Sequence, residues 1–309
     1  MKKNDWLAIR EISLHWAWIF LSLLLVWLWY HPLTILLSLF IIGGKQLACA
    51  ILMHDAGHHA VFKNKKINDW VGQALGAWPI FQDMKRYRPY HLRHHQATGT
   101  TEDPDLLLTR GYPTSKISMF RKITRDLTGI TGVKAFVGVI MMHLGYLEYN
   151  LGGQLVRTQP EEQNAKALFR CFLRQLGGPI LVNLILFLIV ATIFAPWVYL
   201  IWILAYFTTF QFCLRIRSIA EHSIVEDQTN PFQNTRTTYA NAIEQLLFAP
   251  YHVNYHVEHH MMMSVPFYNL PKLHRLLKQR GFYNEGLMEK NYWEVMKLTV
   301  KGFPTPKDV

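Results

Sequence analysis

Two long apolar runs open the chain and two more follow past its midpoint. Residues 14–30 are almost wholly apolar, His31-Pro32 interrupts them, and 33–53 resume the pattern. Residues 178–194 and 197–214 repeat the arrangement around Ala195-Pro196. Each run approaches the roughly 20 residues that a helix needs to cross the hydrocarbon core of a bilayer. The first two are apolar all round and lack the polar face of a helix that borders water. The pattern predicts an all-α membrane protein with four transmembrane helices in two hairpins. Residues 55–177 and 215–309 then form a helical cap, and 1–309 is one domain.

Within the cap, residues 69–81 (DWVGQALGAWPIF) are apolar but too short to span, which fits a re-entrant or surface helix. Residues 84–89 (MKRYRP) are basic and aromatic, as expected at a headgroup boundary. A turn-rich loop follows at 98–105 (TGTTEDPD). Residues 133–151 read as an amphipathic helix, with His143 and Glu148 as ordinary interfacial residues.

Charge adds orientation. Half of the 309 residues are hydrophobic, yet the formal net charge is +11. Lys2, Lys3 and Arg10 precede the first hairpin, and every other Lys or Arg except Lys45 lies in the two long segments after the hairpins. The turns at His31-Pro32 and Ala195-Pro196 carry none. By the positive-inside rule both termini and the whole cap are cytosolic, in a multi-pass protein of a bacterial inner membrane or the endoplasmic reticulum. No cleavable signal pattern precedes the first run. The basic patches carry no nucleic-acid motif and read as lipid headgroup contacts. Cys49, Cys171 and Cys213 have no ligand spacing and are expected to be buried free thiols. Lys45, inside the second span, is either a lysine snorkelling to the headgroups or part of a substrate-cavity wall.

Histidines carry the chemistry. His91, His94 and His95 fall on one face of a helical turn, and His54/His58 and His256/His259/His260 repeat that grammar. Neutral imidazole is the commonest protein ligand for first-row transition metals. His222, beside Glu221 and about two turns past the fourth span, raises the set to nine imidazoles. Nine suits two metals better than one. His252 competes with His222 for the last place, but Pro250 points to a loop there. The box HDAGH lacks the glutamate base of an HExxH protease. Two irons would permit oxygen activation, which zinc does not support. Asp55, Glu221 and Glu258 each neighbour a proposed ligand, and Asp103 and Asp105 follow the second box. These carboxylates either hold the outer N–H of a ligating imidazole or are plain surface charge.

Residues 54–62 (HDAGHHAVF), 91–105 (HLRHHQATGTTEDPD), and YHVEHH with LPKLH within 255–274 resemble the integral-membrane fatty acid desaturases and their hydroxylase and ketolase relatives. With the four spans, the resemblance covers most of the chain. It implies two iron ions held by the box histidines, with a lone histidine between the fourth span and the third box as a further ligand. It also implies O2 as co-substrate and electrons from a separate carrier. No HRLWSH-like box is present, the third box begins with His256 rather than Gln, and no HPGG haem motif occurs. The acyl-lipid branch therefore fits better than the stearoyl-coenzyme A type or the front-end type with a fused cytochrome b5. Met263 stands where relatives often carry Pro.

Without a nucleotide fingerprint, cysteine cluster or haem motif, the electrons are expected from a ferredoxin or cytochrome b5 type of partner. The expected function is an O2-dependent desaturase acting on a membrane lipid or acyl substrate. A di-iron hydroxylase or ketolase for a carotenoid or sphingolipid is the alternative, since the loop and HVEHH also resemble carotenoid ketolases. A non-catalytic membrane protein that binds or transports metal is the third reading, but a transporter places its ligands near the midplane. Nothing in the pattern fixes an oligomeric state.

Overall fold

Asn4 starts the first helix by accepting hydrogen bonds from the amides of Trp6 and Leu7, at 3.1 and 3.4 Å. In the computed structural model, which describes residues 1–159, 164–225, 227, 228, 230, 232–284 and 287–301, this helix α1 runs Asp5–Leu28. It begins nine residues before the apolar run because the cap, not hydrophobicity, sets its start. His31 then starts α2 (Pro32–Gly57) through a capping box with Thr34, with Pro32 in the first turn. From Ile41 to Gly57 every residue of α2 except Ala50 is buried, which makes it the central post of the bundle.

Small residues let the neighbours of α2 approach closely. A Cβ on Gly43 would lie 2.4 Å from Thr209 Oγ1 and 2.7 Å from Phe210 N. After α3 (Lys65–Val71) a wide turn at Gly72–Ala77 packs on the end of α2, with Gly72 against Ala56 and Gly76 against Cys49 and Met53. Trp78, next in the chain, packs on Gly178. The short apolar segment 69–81 is thus wedged between the second and third long apolar helices. It leads into α4 (Met84–Ala97), capped by Asp83.

After the short α5 (Leu106–Thr109) come α6 (Lys116–Leu127) and α7 (Ile130–His143), and α7 covers only the first part of the helix expected over 133–151. Gly145, at φ 83°, ends that stretch, and residues 144–151 are not helical. His143 is not interfacial: it is 1% exposed and its Nε2 meets the carbonyl of Phe81 at 3.0 Å. Glu148 is exposed, as expected.

The third span belongs to α8 (Ala165–Ile193), capped by Asn164 and thus thirteen residues longer at its start than the apolar run. The fourth is Pro196–His222: α9 (Tyr199–Phe207), a kink at Thr208, and α10 (Thr209–His222). Asn183 joins the pair, accepting from Tyr199 OH at 3.0 Å and Trp202 Nε1 at 3.3 Å. Four helices are thus long and apolar enough to cross a membrane. Beyond α10, β1 (Arg236–Thr238), α11 (Ala242–Leu247), α12 (His256–Met261), α13 (Leu270–Gln279), β2 (Leu287–Glu289) and α14 (Tyr292–Lys301) complete the described cap. β1 and β2 pair in parallel, Thr237 opposite Met288. Cys49 and Cys213 are buried free thiols and Cys171 is a half-buried one. The expected C-terminal end of the cap, 302–309, lies outside the described residues.

Gly43→Val should test the close approach of α2 and α10. Its side chain would meet backbone, so we expect destabilisation of about 1–3 kcal/mol, read as a lowered thermal unfolding midpoint. Gly177→Ala, where an added Cβ meets nothing within 4 Å, should leave the midpoint unchanged or raise it.

Candidate metal centre

Four helices bring nine imidazoles to one end of the bundle. His54 sits in the last turn of α2 and His58 caps it, while His91, His94 and His95 share a face of α4. His222 is the last residue of α10, and α12 carries His256, His259 and His260. One group, His54, His58, His91, His95 and His259, has ligand atoms all within 4.8 Å of one another. Beside it lie His94, His222 and His260, and an overlapping set of Glu221, His222 and His256. Rings of the two groups nearly touch, with His95 and His260 centroids 4.2 Å apart.

These nitrogens fit a metal. Two nitrogens each roughly 2.1 Å from one ion, at right angles about it, lie roughly 3 Å apart. His91 and His95 Nε2 are 3.0 Å apart, His95 and His259 Nε2 3.2 Å, and His222 and His256 Nε2 2.8 Å. His54 Nε2, His260 Nε2 and both ring nitrogens of His58 are buried and meet no hydrogen-bond partner among the described residues. Burial, reinforced by the neighbouring imidazoles, holds His91, His256, His259 and His260 well below the usual histidine range. Burial also brings His58 down to about 4. They are therefore neutral near pH 7, which is the ligating form.

The carboxylates divide into distinct roles. His54 Nδ1 donates to Asp55 at 2.7 Å, and His94 Nδ1 to Asp103 at 2.7 Å, which leaves each Nε2 free to ligate. Burial pushes His94 down, but the hydrogen bond to Asp103 and the charges of Asp105 and Asp103 outweigh it, so His94 lies above the usual value. Asp105 stands 3.7 Å from His94 Nδ1 and accepts from Tyr90 OH. Glu221 faces the ligand point itself: Oε2 is 3.6 Å from His256 Nε2, and Oε1 accepts from Arg217 at 2.5 Å.

Glu258 touches none of the nine imidazoles among its hydrogen bonds. It accepts from His274 Nδ1 at 2.5 Å, Thr237 OH at 2.6 Å and Tyr283 OH, and so ties α12 to α13 and β1. On α12 it lies about 200° around the axis from His256, facing away from the site. His252 also stands apart, in a turn (φ 57°) outside the groups that His222 joins. Lys45 lines a cavity, but on the far side of α2 from His54.

Several contributors carried no signal of their own in the sequence. The Asn234 carbonyl lies 3.4 Å from His222 Nδ1, and Tyr87 stacks on His91 with centroids 5.0 Å apart. Buried Arg236 donates to the carbonyls of Ala220 and Ile224, which brace the end of α10. Arg217 and Glu221 were legible as an i, i+4 pair, and His274 as the histidine of LPKLH.

A mainly apolar cavity of about 520 Å³ includes His54 in its wall. Ile51, Ile80, Tyr206 and Phe210 line its body, and Arg125 and Lys134 also border it. Its size and lining suit a small-molecule ligand with an apolar body.

Comparison with known proteins agrees with this geometry. The family model described as "Fatty acid desaturase" matches residues 25–291. The dihydrorhizobitoxine desaturase of Bradyrhizobium elkanii is 29% identical over 85% of this chain and 72% of its own length. The sn-1 oleoyl-lipid 12-desaturases of Picosynechococcus sp. and Arthrospira platensis are 23% and 26% identical, over 89% and 84% of this chain and 74% and 70% of their own.

Asp103 and Glu258 should respond differently to substitution. Asp103→Asn is expected to weaken metal retention about 10–100-fold with little change in unfolding, as for a group that orients a ligand. Glu258→Leu, which strips three donors of their buried acceptor, should instead destabilise the fold by about 3–5 kcal/mol. Metal analysis after graded chelation and thermal unfolding of both variants check this division.

Proposed function

The chain belongs to the fatty acid desaturase family, and from that premise we propose that it is an O2-dependent di-iron desaturase of acyl lipids. The observation that carries the reading is the mainly apolar cavity whose wall includes His54, a member of the group of five imidazoles. The overall change removes two hydrogens from adjacent CH2 groups. O2 takes these two, two electrons from an external carrier and two protons, and leaves as two waters. When bound, the iron pair supplies the oxygen activation that an unactivated hydrocarbon requires. His54, His58, His91, His95 and His259 would hold one iron. His94, His222, His256 and His260, with Glu221 facing the same point, would hold the other. Asp55 and Asp103 fix the tautomers of His54 and His94.

The remaining residues bind and position. Ile51, Ile80 and Phe210 exclude water from the acyl chain and hold it straight against the His54 end. Arg125 and Lys134 suit the polar head of the lipid, and an acyl-lipid rather than a coenzyme A ester fits the oleoyl-lipid desaturases among the relatives. The charge asymmetry supports a cytosolic cap and termini in a bacterial inner membrane or the endoplasmic reticulum. A ferredoxin or cytochrome b5 type of carrier would then reach the site from the cytosol.

The purified protein should contain about two irons per chain, and should convert labelled acyl lipid to an unsaturated product only with O2 and reductant. Full turnover in a zinc-loaded, iron-free preparation would sink the mechanism. His222→Ala should lose iron and activity together, while His252→Ala keeps most of both. The reverse result would move the ligand assignment to His252. A reporter fused after Val309 should be active only on the cytosolic side.

A further inference from the structure

A second cavity, of about 420 Å³, lies on the side of α2 away from the imidazoles. Nine residues separate Lys45 from His54, about two and a half turns, so the two side chains project to opposite sides. The two cavities share no lining residue. Here α1 contributes His15 and Trp18, α2 contributes Lys45 and Ala48, and the turn after α11 contributes Tyr251 and His252.

Its wall carries several buried polar groups, His15 Nε2 meeting Cys49 Sγ at 3.5 Å. Lys45 is 8% exposed and His15 3% exposed. His15 Nδ1 and the Tyr251 hydroxyl are buried without a hydrogen-bond partner. Among the described residues Glu11 is the carboxylate on the wall; it attracts Lys45 at longer range, while its Oε1 accepts from Arg10 at 3.1 Å. Lys45 lies twelve residues, about 18 Å of helix, before the end of α2. A buried ammonium is costly unless an anion faces it, and Glu11 offers one only at longer range. Leu14 and Trp18, on the α1 wall, are 50% and 44% exposed on the outer flank of the bundle.

We propose that this cavity binds the anionic oxygen group of a membrane amphiphile from the cap-side leaflet, with Lys45 as the countercharge. His15 Nδ1 and the Tyr251 hydroxyl complete the polar floor, and the Leu14 and Trp18 surface beds the start of the acyl chain. A fatty acid carboxylate and a phospholipid phosphate both present this chemistry.

Brominated lipids that quench tryptophan test it on the full-length, iron-loaded protein in neutral detergent, with Trp18→Phe isolating the signal of Trp18. The probes are dibromostearate, dibromo-phosphatidylglycerol and a neutral dibromo-monoacylglycerol. At least one anionic probe should quench Trp18 saturably, and the neutral probe should bind at least about tenfold more weakly. Lys45→Met should raise the Kd of the anionic probe about tenfold or more, and Lys45→Arg should restore most of the affinity. Binding of dibromostearate alone assigns a fatty acid; binding of dibromo-phosphatidylglycerol alone assigns a phospholipid. Equal affinity for the neutral probe, or an unchanged Kd in Lys45→Met, overturns the proposal. Should Lys45→Met fail to fold, Ala48→Phe fills the same cavity with the lysine retained, and persistence of saturable quenching there overturns it equally.

Discussion

Nine imidazoles gathered in one buried site impose the constraint that the rest of the structure answers. A buried ring nitrogen without a partner costs about 1–3 kcal/mol, and seven ring nitrogens of these residues have none within the protein. Hydrophobic collapse alone would not assemble such a site, because each ring would be better hydrated in the unfolded chain. The fold therefore needs rigid carriers that fix the rings, and a ligand chemistry that makes their convergence favourable. Metal coordination supplies free energy on that scale, which is why folding and metal binding are coupled in proteins with such sites.

The carriers are the spans themselves. α2 and α10 do not stop where their apolar runs stop; they continue and deliver His54 and His222 at their ends. Gly43 lets the two helices pack backbone to side chain, so the separation of their ends is set by contact inside the bundle. The cap then closes with polar locks. Arg236 donates to the Ala220 carbonyl in the last turn of α10 and to that of Ile224 just beyond it, and Glu258 draws α12 onto β1 and α13. Neither group needs to approach the metal ligands to hold them in place.

The spans and boxes were legible because both depend on spacing along single helices. An apolar run fixes a span, and i, i+3, i+4 histidines fix a shared face, whatever the tertiary context. Helix limits were less legible, since Asn4, Asn164 and the run through Arg217 to His222 extend helices by capping and tertiary packing. The nearness of Asp55 and Asp103 to a box was legible, and each carboxylate meets a box imidazole, His54 and His94 respectively. Glu258 shows where adjacency misleads: two residues along a helix turn a side chain to the far face. The same helical arithmetic would have put Lys45 opposite His54. What no local pattern could reveal was His143 holding the Phe81 carbonyl, or Arg236 at the end of α10, because their partners lie far away in sequence or on irregular backbone.

Charge balance ties these observations to the proposed metal pair. Neutral imidazoles contribute no charge, so the sign of the site rests on its carboxylates and on Arg217. Asp55, Asp103, Asp105 and Glu221 stand against a single guanidinium, which leaves three negative charges when all four are ionised. Burial pushes the Asp105 carboxyl up, so in this environment a carboxylate keeps its charge only where a cation faces it. One dication would leave such a site negative and inclined to take up protons. Two dications would leave it with one positive charge, with Arg217 hydrogen-bonded to Glu221 beside the second group. Loading the site is then expected to release protons, and the proposed stoichiometry of two rests on the nine donors rather than on the charge count.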